Sequence, residues 1–250
     1  MSSEEKDVLD EKYDHLDLVL KYDKLRFGTP SILLNKLIMD LNKKLKTTNL
    51  PPEFNDIRQY EISDILGDSC KSIYVLESPH STEIKSKIPA SGQTGIVMSQ
   101  ELFNTSTPMG LAIKNGEIDG AGILNACQFP LDGRAYKTIP NTLLEYMNIK
   151  KLSYSGINFK NDIKKKLNDI DKLNTVANFR ERLESVVKEK ESKEIIICGF
   201  ISQAFIELAY PELINVRFKT WTELNISGRN VNIRYTHHPS PKRDGNNWTI

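Results

Sequence analysis

An α/β fold, a three-layer α/β/α sandwich around a central four-stranded and mainly parallel sheet, is what this sequence predicts, and three observations predict it. Four short apolar or β-branched runs, at residues 72–77, Ala121 to Ala126, Glu194 to Gly199 and Val231 to Tyr235, end at charge, glycine or polar residues as buried strands do. Stretches with helical spacing separate them, and strands alternating with helices imply parallel pairing. Polar, chemistry-bearing residues gather where these runs stop, and in open α/β sheets ligands bind beyond the carboxyl ends of the strands.

The 250 residues are enough for one such domain, expected over 69–250, with a helical extension packed on it over 1–68. In that extension Ile32, Leu34, Leu37, Ile38, Leu41 and Leu45 follow Pro30 at helical spacing. A composition of 39% apolar and 27% charged residues is ordinary for a globular chain. No apolar run approaches the ~18 residues of a membrane span. The acidic start, Met1 to Asp7, lacks a signal peptide's basic and apolar regions. Cys70, Cys127 and Cys198 are odd in number and scattered, which indicates neither a disulfide framework nor a CxxC metal site. A cytoplasmic monomer without a cofactor is the expectation. The net charge of +1 leaves a nucleic-acid partner open, since only a local basic patch is needed.

The first strand, 72–77, runs into Leu76-Glu77-Ser78-Pro79-His80-Ser81-Thr82-Glu83, closing with Pro89-Ala90-Ser91-Gly92-Gln93-Thr94-Gly95. A helix is expected from Ile96, so that Gly92 and Gly95 precede it, and such a turn lets backbone N–H groups approach a phosphate. The second strand ends on Asn125, and a loop from Gln128 to Arg134 follows. Residues 150–194 are charge-rich, with Val176, Phe179, Leu183, Val186 and Val187 at helical spacing. They read as a solvated helix over an apolar stripe. The third strand leads to a helix that Ser202 would cap and that stops before Pro211. A last segment, Arg217 to Tyr235, delivers His237-His238-Pro239-Ser240-Pro241. Glu77, Asn125, Gly199 and His238 are thus expected at neighbouring strand ends.

A carboxylate can stabilise a developing cation or orient water. An amide presents a donor and an acceptor side by side, which suits the edge of a nucleobase. A histidine can donate to a leaving group. Glu77, Glu83, Asn125 and His238 together therefore fit cleavage of a bond to a heterocycle through a cationic sugar, as glycosidic chemistry does.

These same blocks resemble the uracil-DNA glycosylase superfamily. Leu76-Glu77-Ser78-Pro79 with Glu83, then Pro89, Gly92 and Gly95, is similar to the first motif of its family-four, iron–sulfur branch. Gly122 to Ala126 resembles the strand whose Asn reads the base, and His238-Pro239-Ser240-Pro241 resembles the closing motif. The resemblance implies a DNA glycosylase that leaves an abasic site, with Glu77, Glu83 and His238 catalytic. Ser78, Pro79, His80, Ala90, Gly92, Asn125 and Phe129 would line the base pocket, and Lys85, Lys87, Ser240, Lys242 and Arg243 would hold the DNA.

The chain departs from the pattern in ways that bear on the substrate. The branch's cluster cysteines are absent, so no cluster is expected. The ring that stacks on the flipped base falls at Ala90, with Phe129 as a replacement, and the tyrosine wall of the uracil-specific branch becomes His80. A roomier pocket follows, suited to a 5-substituted pyrimidine such as phage DNA carries, with defence against phage as the context. Two rival readings use the same residues: a metal-dependent hydrolase built on Glu77, His80, His237 and His238, and a non-catalytic DNA-binding member of the fold.

Overall fold

The computed structural model describes residues 57, 59–152, 159–171, 173–214 and 216–239. The chain divides into two compact units, Met1–Leu50 and Pro51–Ile250, and every described residue belongs to the second. The helix expected over Ser31–Leu45 lies outside the described residues, as do Ser240, Lys242 and Arg243. Within the expected extension, Ile57 and Ile62 are buried and Ile65–Leu66 forms a short strand, β1.

Continuous apolar runs make the centre of the sheet because both of its faces are covered. In β2 (Ser72–Leu76), Ile73 and Val75 enter one apolar cluster while Tyr74 and Leu76 enter the other. In β4 (Glu194–Cys198), Ile195 and Ile197 alternate in the same way with Ile196 and Cys198. With β3 (Ala121–Asn125), β5 (Thr222–Ile226) and β6 (Arg229–Thr236), the sheet has the order β1-β3-β2-β4-β6-β5. The inner four strands pair in parallel and the two edges antiparallel.

Six strands stand where four were expected. β1 is two residues long, too short to leave a periodic signal. β5 and β6 run together in the sequence because the hairpin turn between them is only Ser227-Gly228, both with positive φ.

Among the described residues the helices are α1 (Ser81–Ser86), α2 (Gln93–Phe103), α3 (Met109–Lys114), α4 (Met147–Leu152), α5 (Phe159–Ile170), α6 (Thr175–Lys190) and α7 (Phe200–Ala209). Buried residues of α2 and α3 join the cluster of Tyr74 and Leu76, and those of α4 to α7 join that of Ile73 and Val75. The apolar stripe expected on α6 is buried at Phe179, Leu183, Val186 and Val187. Asp171 starts that helix by accepting from the backbone N–H groups of Thr175, at 2.7 Å, and Val176, at 3.0 Å.

The chain leaves β2 toward β3 on one side and leaves β4 toward β6 on the other. The crevice between the ends of β2 and β4 is therefore the switch point at which open α/β sheets bind ligands. Its first wall is the turn at Pro89–Ala90, where Ala90 is buried in a left-handed conformation. α2 begins at Gln93 with Gly92 as its cap, so Gly95 lies inside the helix instead of ahead of it. A Cβ on Gly95 would sit 1.7 Å from the carbonyl oxygen of Ala90, and one on Gly110 of α3 would sit 1.8 Å from that of Pro89. Two helices thus clamp the turn by lacking side chains. Gly95→Ala is expected to lower stability by about 1–3 kcal/mol or more through overpacking, read as a shifted urea midpoint at unchanged slope.

Candidate active site

Glu77 is the residue just past β2, and its side chain is buried. Carboxylates are seldom buried without partners, and this one has several. Lys150, on α4, donates from Nζ to Glu77 Oε2 at 2.5 Å. The backbone N–H of Ile201, in the first turn of α7, donates to Oε1 at 3.4 Å. The N-terminal end of a helix favours negative charge, so Glu77 supplies in trans the cap that α7 lacks from its own residues. Ser202, expected to cap this helix, instead donates to the carbonyls of Cys198 and Gly199. Gly199 has φ +92°, and a Cβ there would come within 2.5 Å of Glu77 Oε1. The strand end of β4 makes room for the carboxylate by carrying no side chain.

His238 reaches the same place from β6. The backbone N–H of Gly199 and the side-chain amide of Gln203 both donate to the carbonyl of Thr236, which fixes the exit of that strand. His238 follows, half-buried, close enough to Glu77 for each to shift the other's proton affinity. Burial works to raise the Glu77 pKa, but the charge of Lys150, then that of His238, and the hydrogen bonds outweigh it and leave the carboxyl below its ordinary value. Burial lowers His238, Glu77 opposes the change and Lys150 adds to it, so the imidazole is held below its ordinary value.

Asn125 closes β3, paired in register with Leu76, one residue from Glu77. The residue is 1% exposed, and neither its side-chain amide nitrogen nor its side-chain carbonyl oxygen has a hydrogen-bond partner. Burying both ends of an amide unpaired costs on the order of 1–3 kcal/mol per group. The backbone here is not slack: Arg182 of α6 donates from Nη2 to the carbonyls of Asn125, at 2.8 Å, and Ala126, at 3.2 Å. The same guanidinium pairs with Asp64 at 2.7 Å. The backbone that carries the amide is held while the amide's polar atoms are unused.

The other expected residues are placed as follows. Glu83 does not join Glu77. It accepts from the backbone N–H of His80 at 2.9 Å and from that of Ala90, tying α1 to the clamped turn. Burial pushes its pKa up to about 7 against those two bonds. Ser78 accepts from the N–H of Leu131 at 3.4 Å, and Pro79 is buried. His80 is exposed beside Ser81. Phe129 is buried in the core, edge-on to Tyr146 at 5.4 Å, which corrects its expected place as a ring over the base. Lys85 is exposed, whereas Lys87 donates to the carbonyls of Gln59 and Glu61, so its ammonium serves a backbone turn. His237 is exposed, with its ring 4.5 Å from that of Phe218. Among the described residues no three His, Cys, Asp or Glu side chains gather as metal ligands, so the set of Glu77, His80, His237 and His238 is not assembled as one.

Lys150 is the site residue that the sequence did not announce. It opens the charge-rich stretch read as a solvated face. It turns inward because Tyr146, Met147 and Ile149 are buried, and the Tyr146 hydroxyl is anchored on Asp171 at 3.0 Å. No protein-family model matches this chain, and no curated protein matches it either. Among the described residues no helix is long and apolar enough to cross a membrane.

Two outcomes follow from this geometry. Lys150→Met leaves a buried carboxylate uncompensated and is expected to cost about 3–5 kcal/mol. Adding Glu77→Gln should recover most of that loss in a double-mutant cycle by urea denaturation. Glu83 is raised in the folded state, so its stabilising share is present at low pH and is lost as pH rises from about 4.5 through about 7. In Glu83→Gln that part of the pH dependence should vanish from the unfolding free energy measured between pH 5 and pH 8.

Proposed function

We propose that this chain is a DNA N-glycosylase that extrudes a modified pyrimidine, bearing a 5-substituent, and hydrolyses its bond to the sugar. The observation that carries the reading is the Asn125 amide: a donor and an acceptor, side by side, buried and unpartnered at a strand end. The edge of a pyrimidine offers the complementary pair. The neighbouring groups supply what the bond cleavage needs. In a three-layer sandwich acting as a cytoplasmic monomer on DNA, the nucleotide would enter the crevice between the ends of β2 and β4.

The roles follow from the electrostatics. Glu77, held ionised by Lys150, opposes the positive charge that grows on the sugar as the C1′–N bond breaks. The bonding electrons leave with the base, and His238 donates a hydrogen bond to it. Water adds its oxygen to C1′ and its proton is lost to solvent or to the base, which gives the abasic sugar and the free base. Extrusion costs a few kcal/mol, least for a base already poorly stacked. Glu83 takes no part in the chemistry and positions the Ala90 turn. That turn carries no ring, which favours a base with a substituent over plain uracil.

A second reading, a DNA-binding protein of this architecture without catalysis, is favoured by one observation: the charge of Glu77 is already matched by Lys150. One experiment separates the two. The protein is incubated with genomic DNAs carrying different base modifications, and released bases are scored by mass and alkali-labile sites by gel. Excision should fall by 10²-fold or more in Glu77→Gln and Asn125→Ala, as loss of a preorganised electrostatic group does. Strand-sensitive sites that persist in both variants, or never form with any DNA, overturn the excision reading.

A further inference from the structure

Away from the strand ends, five consecutive residues, Arg217-Phe218-Lys219-Thr220-Trp221, are all exposed and interleave cationic with aromatic side chains. Phe218 and Trp221 are each 40% exposed, although rings of this size are normally buried. Trp221 precedes β5, and the pairing of Thr222 with Ile233 sets it opposite Arg234 of β6. The guanidinium lies 5.5 Å from the indole centroid. Glu223, Asn225, Asn230 and Asn232 continue this face of the hairpin, and all four are exposed. The charge of Glu223 is engaged by the side-chain amide of Asn230 at 2.6 Å. At the other end, the Phe218 ring meets that of His237, the residue next to His238.

We propose that this face binds an unpaired stretch of DNA, with bases stacked on Trp221 and Phe218 and phosphates against Arg217, Lys219 and Arg234. It rests on the excision reading in one respect, that the strand continues from the nucleotide held at the crevice. Rings that lie open on a cationic surface stack on bases that are not already stacked in a duplex, and the alternation of cation and ring follows the alternation of phosphate and base. The charge is complementary to a nucleic-acid backbone, and the Phe218 ring lies against His237, the residue that precedes His238. The consequence is a preference for single-stranded or locally melted substrate.

The test uses the full chain carrying Trp248→Phe, which leaves Trp221 as the sole tryptophan of the original two. Titration with an oligothymidylate of ~12 nucleotides, within the usual footprint of such surfaces, should quench its fluorescence saturably. The affinity should fall with salt and exceed that for a duplex of equal length. In the same background, with binding read from the fluorescence anisotropy of a fluorescein-labelled copy of the same oligonucleotide, Trp221→Leu should weaken binding about 5- to 150-fold, the equivalent of ~1–3 kcal/mol of stacking per base, with an unchanged melting temperature. Trp221→Phe should keep most of the affinity. Undiminished binding by Trp221→Leu, equal affinity for the duplex, or quenching by anionic vesicles but not by the oligonucleotide overturns the proposal. Oligothymidylate binding is scored without any excision. A chain that binds it through Trp221 yet never produces an abasic site loses the excision reading and keeps this surface.

Discussion

A buried negative charge organises this structure. The Glu77 carboxylate stands where a strand, a glycine turn and a helix N-terminus meet, and each of them is shaped to receive it: Lys150 brings a cation, Ile201 an N–H group and Gly199 an empty Cβ position. Desolvating an ion is costly, and these three features offset that cost together. α7 depends on Glu77 in turn, because no side chain of its own caps its first turn. The charge and the fold of the β4–α7 junction are therefore one feature. Whatever enters the crevice meets an ionised carboxylate whose position is set by backbone.

Around that charge the chain uses rigidity differently on each wall. The Pro89–Ala90 turn is immobilised by close backbone approach at Gly95 and Gly110, and Glu83 ties it to α1. The end of β3 is held by Arg182, which grips two backbone carbonyls and leaves the Asn125 side chain unused. A buried polar group without a partner is a cost that folding does not recover.

Several parts of this were legible in the residues. The four central strands could be found because double burial demands unbroken apolar runs, and the strand-end placement of Glu77, Asn125, Gly199 and His238 followed from where those runs stop. The stripe of α6 was visible because Phe179, Leu183, Val186 and Val187 keep helical spacing. The edge strands were not, since two residues in β1 and a two-residue turn before β6 leave too little pattern to separate them. The role of Gly95 inside α2 is not visible in the sequence, which does not reveal that a carbonyl presses against it from another segment.

Local preference therefore carried the order of strands and helices, and with it the meeting of two distant motifs at one end of the sheet, because hydrophobic periodicity acts over a few residues and is written in them. Which side chain neutralises Glu77, which ring stays in the core and which amide goes unpaired were settled by packing between distant segments. Lys150 shows why: a lysine among many lysines differs from the others only in what lies across from it, and that neighbour is a product of the fold.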